Sequence, residues 1–265
     1  MAKKTLLLSL AAILFVVACL RVIAAGQDNN AVRILFIGNS LTSVNNLPAM
    51  IAEIAKSHGT DVIYEAHTPG GARLRNHASN KNVLRKLRKR SWDFVVLQEQ
   101  SQSPGFGARQ LSRDVFPYAT RLVEESKKAN PDTSVIFYMT MAHRNGDPQN
   151  QNVSSELLTY EGTQRRINRS YLTMARDNRA LVAPVGEAWR IVREEQPDIA
   201  LYADNTHPNP AGTYLAACVF YATLFQSPCS GAAIPRRVNQ PIAVFLQKTA
   251  DNVVLRSGEI WDWRE

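Results

Sequence analysis

The chain has 265 residues, 45% hydrophobic and 20% charged, an ordinary balance for a globular protein with one sizeable core. No apolar run reaches the roughly 20 residues that a membrane-spanning helix needs, which excludes a multi-spanning membrane protein. The net charge of +8 includes Lys3, Lys4 and Arg21, so the rest of the chain is only mildly basic.

Those three charges belong to a distinct leader. Lys3 and Lys4 precede an apolar run from Leu6 to Leu20, closed by Arg21 and the small residues Ala24 and Ala25, which is the pattern of a secretory signal. Val17-Ala18-Cys19 resembles a lipoprotein cleavage box, with Cys19 as the lipid-bearing residue, whereas Val22-Ile23-Ala24 suits an ordinary signal peptidase. Residues 1–25 are therefore expected to direct export. A secreted or periplasmic product is favoured over a membrane-anchored lipoprotein.

Beyond the leader, short apolar and β-branched runs recur at residues 32–37, 61–66, 94–97, 134–138 and 180–183, and read as buried strands. Helical spacing fills the stretches between them, at residues 47–58, 80–90, 108–128 and 154–177. After the last strand come a short helix over 186–195, a loop over 197–210, a helix over 211–225 and a C-terminal helix. Alternating strand and helix predicts one α/β domain over residues 31–265, a parallel sheet between two helical layers. Reactive groups should then gather beyond the carboxyl ends of the strands.

The basic run from Arg85 to Arg90 reads as a solvated helix face, and an exported protein is not expected to bind nucleic acid. In the mature chain, Cys218 and Cys229 either pair in an oxidising compartment or stay as buried apolar residues. His58, His67, His77 and His143 are scattered, and neither a His-Glu-x-x-His motif nor paired Cys spacing is present, so no metal is expected.

Two segments can carry chemistry. The first strand runs into Gly38-Asn39-Ser40-Leu41-Thr42, which sets a serine hydroxyl and backbone N–H groups at a strand end. Taken alone, this segment reads better as a turn in which Asn39 or Ser40 merely caps the backbone. Asp204-Asn205-Thr206-His207 places a carboxylate three residues before an imidazole at the mouth of a helix, a spacing that lets Asp204 hold one ring nitrogen while the other serves as base. Asp204 and Asn209 would also serve as plain turn and cap residues. A phosphate or flavin site after the first strand is disfavoured, because the Gly-x-x-x-x-Gly-Lys spacing is absent.

Taken together, these segments resemble the SGNH hydrolases, or GDSL-type esterases, over residues 32–225. The resemblance implies a flavodoxin-like sandwich with about five strands and a serine esterase mechanism without metal or organic cofactor. Its first block maps onto Gly38-Asn39-Ser40-Leu41-Thr42, with Ser40 as nucleophile and first oxyanion donor and Asn39 in place of the usual aspartate. The second maps onto Thr68-Pro69-Gly70-Gly71-Ala72-Arg73-Leu74, with Gly71 as the next donor and Gly70 as alternate. The third departs from the usual Gly-x-Asn-Asp and reads Gln98-Glu99-Gln100-Ser101; Gln100 takes the asparagine position and Gln98 is its alternate. Asp204 and His207 form the fourth. The run from Trp92 to Ser101 also resembles a bacterial subgroup of the superfamily, in which the Gln is a subgroup trait. Short acyl esters, with acetyl groups on polysaccharide first among them, are the expected substrates. The competing expectation is a glycan-binding protein that keeps the fold without catalysis.

Overall fold

The computed structural model describes residues 31–89, 92–257 and 261–264. The expected leader, with Cys19, lies outside the described residues, as does Arg90. Five strands, β1 (Val32–Ile37), β2 (Val62–His67), β3 (Phe94–Leu97), β4 (Ser134–Tyr138) and β5 (Leu181–Ala183), form one sheet in the order β2-β1-β3-β4-β5. The registers of β1 with β3, β3 with β4 and β4 with β5 are parallel. The inner residues Ile34–Ile37, Val95–Leu97 and Ile136–Tyr138 are fully buried, because helices cover both faces of a parallel sheet and leave no face for alternating polar residues.

The helices are α1 (Ser40–Ser43), α2 (Leu47–Ser57), α3 (Leu74–Ala78), α4 (Lys81–Lys89), α5 (Ala108–Asp114), α6 (Phe116–Ala129), α7 (Tyr160–Asn178), α8 (Val185–Glu195), α9 (Pro210–Phe225) and α10 (Gln240–Asp251). Helix α9 packs against α2, α8 and α10, while α6 packs against α3, α4 and α7. Residues Gly212–Leu224 of α9 are all buried, so this helix is apolar on every side. Cys218 on α9 and Cys229 beyond it are both buried free thiols.

Two expectations change in detail. The helix expected over 108–128 is broken at Val115, which has φ −127°, because Pro117 at the start of α6 lacks an N–H and crowds the backbone before it. Residues 155–158 form a 3₁₀ turn, and the following helix begins only at Tyr160, where the Thr159 side chain accepts from Gly162 N–H. The basic face of α4 is partly paired: Lys86 bonds Glu65, and Arg88 lies 2.5 Å from Glu125, while Val83 and Leu87 turn inward. At the far edge of the sheet the C-terminal segment lies antiparallel to β5, with Val182 N–H donating to Trp261 O at 2.8 Å. That contact satisfies edge groups that would otherwise face solvent.

The strand order places the functional region. The chain passes from β1 outward to β2 and then returns to β3 on the other side of β1, so a crevice opens beyond the carboxyl ends of β1 and β3. Ser40 follows β1 by three residues and Gln100 follows β3 by three.

Candidate active site

Ser40 is the first residue of α1. Asn39 is its N-cap: the Asn39 Oδ1 accepts from Leu41 N–H at 3.0 Å, and its Nδ2 donates to Ala72 O at 3.0 Å. The capping role foreseen for this turn is thus present, and it leaves the Ser40 hydroxyl free of the cap. Capping leaves the Ser40 N–H, one of the helix's first unbonded donors, directed away from the ladder. Gly38 must be glycine, since a Cβ there would lie 2.5 Å from Gln98 Oε1 and 2.7 Å from Thr42 Oγ1.

His207 comes to Ser40 from 167 residues away. Its Nε2 lies 3.0 Å from Ser40 Oγ, and its Nδ1 lies 2.8 Å from Asp204 Oδ2. The other carboxylate oxygen, Asp204 Oδ1, accepts from Thr206 N–H at 2.6 Å and His207 N–H at 2.7 Å. These bonds to the charged form hold the Asp204 pKa down to about 2, with the His207 backbone bond contributing most. The carboxylate therefore orients the imidazole with Nδ1–H toward Asp204, leaving Nε2 as acceptor for the serine proton.

The loop bearing His207 is pinned at both ends. Ala203 N–H donates to His207 O at 2.9 Å, and Asn209 N–H to Leu201 O at 2.9 Å. Asn209 also caps α9 through Gly212 N–H at 2.9 Å. From the Ser40 side, Asn45 Nδ2 reaches Pro208 O at 3.0 Å and Thr213 Oγ1 at 2.9 Å.

The glycines of the second block form an exposed turn. Ala72 N–H donates to Pro69 O at 3.2 Å, and Gly71 has φ +68°, a conformation that L side chains avoid. Among the described residues neither Gly70 N–H nor Gly71 N–H bonds a backbone carbonyl. The Asn39 bond to Ala72 ties this turn to the Ser40 loop.

The two glutamines of the third block differ. Gln98 is fully buried; its Oε1 accepts from Asn39 N–H and Thr42 Oγ1, both at 2.9 Å, and its Nε2 bonds Glu99 O. Both ends of the Gln98 amide, the alternate donor, are thus engaged within the protein. Gln98 continues the β3 ladder by donating to Ile37 O, so its side chain turns under the serine loop and supports it. Gln100 is half-buried, and its Oε1 accepts from Gln102 N–H, Ser103 N–H and Ser103 Oγ. That fixes its Nε2 on the other side, where one hydrogen goes to Ser101 Oγ at 3.2 Å and the second stays available.

No protein-family model and no curated protein sequence matches the chain. Among solved structures, a protein from Slackia heliotrinireducens assigned as an SGNH hydrolase is 32% identical, covers 74% of this chain and 100% of its own, and superposes with a TM-score of 0.60. The chain belongs to the SGNH hydrolase superfamily. At lower identity the same fold appears in a DUF4886-family protein from Bacteroides uniformis, with a TM-score of 0.73 at 17% identity over 88% of this chain and 98% of that one. It also appears in an acetylxylan esterase from Geobacillus stearothermophilus, with a TM-score of 0.53 at 16% identity over 73% and 94%.

Several groups to which sequence reasoning gave no part in the mechanism surround the site of this SGNH hydrolase. His77 is buried with its Nε2 2.9 Å from Gly38 O, and burial lowers its pKa to about 4; it is a neutral donor that fixes the carbonyl before Asn39. His143 Nε2 lies 3.0 Å from Ser101 Oγ, with its pKa lowered chiefly by burial. Arg144 N–H donates to Asn205 O at 2.8 Å, which joins the His143 loop to the His207 loop. A buried carboxylate, Glu99, stands between the two glutamines. Among the described residues no group of three His, Cys, Asp or Glu is placed to hold a metal ion.

Proposed function

We propose that this SGNH hydrolase is a serine esterase working through an acyl-enzyme, with Ser40 as nucleophile, His207 as general base and acid, and Asp204 as orienting carboxylate. The observation that carries this reading is the unbroken chain from Ser40 Oγ to His207 Nε2 at 3.0 Å and from His207 Nδ1 to Asp204 Oδ2 at 2.8 Å. In the acylation step Ser40 Oγ attacks the ester carbonyl carbon as its proton passes to His207 Nε2. The carbonyl electrons move onto the oxygen, which the N–H groups of Ser40 and Gly71 and the free Nε2 hydrogen of Gln100 are suited to receive, with Gly70 the alternate to Gly71. Collapse breaks the bond to the alcohol, which leaves with the proton from His207. Water, deprotonated by the same nitrogen, then attacks the acyl-enzyme and releases the acid and Ser40 Oγ–H.

The His207 loop is exposed, with Asp204 58% and His207 33% exposed at their side chains, which favours acyl groups presented on a larger carrier. Together with the fold shared with an acetylxylan esterase, this makes acetyl esters of polysaccharide the first substrate class to try. An export signal at residues 1–25 would bring the enzyme to such material outside the cytoplasm. The test is hydrolysis of p-nitrophenyl acetate, longer-chain esters and acetylated xylan by the purified mature protein beside Ser40→Ala and His207→Ala. Activity lost in both variants is the expected result. Activity retained in either refutes the assignment, and turnover by none of the proteins points instead to glycan binding without catalysis.

A further inference from the structure

Glu99 has no part in the mechanism above, yet it sits inside it. It is 0% exposed and directly follows Gln98 at the end of β3. Its Oε1 accepts from Gln100 N–H at 2.6 Å, and its Oε2 accepts from Leu74 N–H at 3.2 Å. Its own N–H donates to Tyr171 Oη at 3.2 Å. Among the described residues no cation forms an ion pair with it at bonding distance; Arg73 and Arg75 act on it only through their field. A carboxylate removed from water with two N–H donors as its direct partners is costly, yet neither an apolar residue nor an amide supplies an acceptor to both donors.

Its two partners lie on different blocks. Leu74 opens α3, three residues beyond Gly71, and the Ala72 carbonyl between them is held by Asn39 beside Ser40. Gln100 carries the side-chain donor of the third block. One rigid carboxylate thus spans the segments that deliver two of the three oxyanion donors.

We propose that Glu99 is a positioning residue for the oxyanion hole: by bonding Leu74 N–H and Gln100 N–H at once, it fixes the separation of the Gly70-Gly71 turn and Gln100 so that their donors converge on one oxygen. The proposal rests on the assignment of Gly71 and Gln100 as oxyanion donors. Glu99→Gln keeps the shape but replaces one acceptor by an N–H₂ group that faces a donor. Glu99→Asp keeps the charge but is one methylene too short to reach both.

The experiment compares both variants with the wild type in p-nitrophenyl acetate turnover, thermal midpoint and affinity for a trifluoromethyl ketone, which adds to Ser40 and develops an oxyanion. For each variant that folds, kcat should fall roughly 10²-fold, the scale of a lost or misplaced oxyanion donor. KM should stay within about threefold, as expected when only transition-state contacts are lost. Ketone affinity should fall in parallel with kcat. A role in stability alone would lower the thermal midpoint and leave kcat and ketone affinity of the folded protein unchanged, and that result overturns the proposal. With wild type active and Ser40→Ala inactive, such a failure touches Glu99 alone. A wild type inactive on every ester removes the esterase reading and this proposal together.

Discussion

Asp204 shows how one residue serves two tasks. One oxygen closes the turn through Thr206 and His207 N–H, and the other holds the imidazole. With its pKa near 2, it stays ionised throughout the range in which an esterase is assayed. Asp204→Asn keeps an oxygen for the two N–H groups but sets an amide against Nδ1, so the turn should survive while the imidazole tautomer is reversed. We expect kcat to fall about 10⁴-fold, as for the equivalent change in a serine protease triad, with a thermal midpoint close to wild type; steady-state kinetics beside a melting curve checks both halves. Ser40, Asp204 and His207 were nominated by the resemblance of their segments to a family pattern, since each segment taken alone also reads as a turn or cap; that the three side chains meet is a finding of the fold. Gln98 and Gln100 were not separable in the same way. Both carry an amide after β3, and only the partners each side chain takes, Asn39 and Thr42 of the serine loop for one and the following Ser101–Ser103 turn for the other, tell them apart.

Among the elements, α9 is the one whose position the site depends on most, because the His207 loop runs into its N-terminus. Its entry is close-packed at Gly212, where a Cβ would lie 2.3 Å from Leu201 O and 2.4 Å from Trp189 Cη2. Gly212→Ala is therefore expected to destabilise the protein by about 1–3 kcal/mol, the usual cost of overpacking. Because α9 would be pushed away from Leu201, catalysis should weaken as well. Chemical denaturation and esterase assay at one temperature measure the two effects, and unchanged stability would contradict the packing argument. The strands and long helices were readable from the chain, since the strands are short continuous apolar runs buried on both faces and most of the long helices repeat apolar residues at helical spacing. Helix α3 was not: five residues do not make a stable helix alone, and this one is held by Leu74 N–H on Glu99 and by His77 on Gly38 O. The interruption before Pro117 was visible as a residue, but the apolar spacing continued through it.

In the molecule as a whole, two buried titratable groups under the site pull stability in opposite directions. Burial holds His77 near 4 against an ordinary 6.5, so between those values the unfolded chain binds a proton that the native state refuses, and stability rises with pH. Glu99 is raised to about 7 from an ordinary 4.5; there the native carboxyl keeps a proton that the unfolded chain releases, and stability falls as pH rises. From about pH 4.5 to 6.5 the two slopes oppose each other. Relative to wild type, the thermal midpoint of Glu99→Gln should rise more steeply with pH across this window. That of His77→Gln, which can still donate to Gly38 O, should fall more steeply. Parallel curves for all three proteins would show that neither group is linked to folding. Sequence by itself determined the α/β class and the succession of strands and helices along the chain, and it nominated Ser40, Asp204 and His207, because these rest on local periodicity and on motifs spanning a few residues. Tertiary structure alone decided that Gln98 is shut beneath the serine loop while Gln100 stays half-buried, that His77 and Glu99 are buried, and that Asn45 reaches Pro208. Those facts depend on which side chains are shut away from water when segments distant in sequence pack together, and no local pattern encodes that.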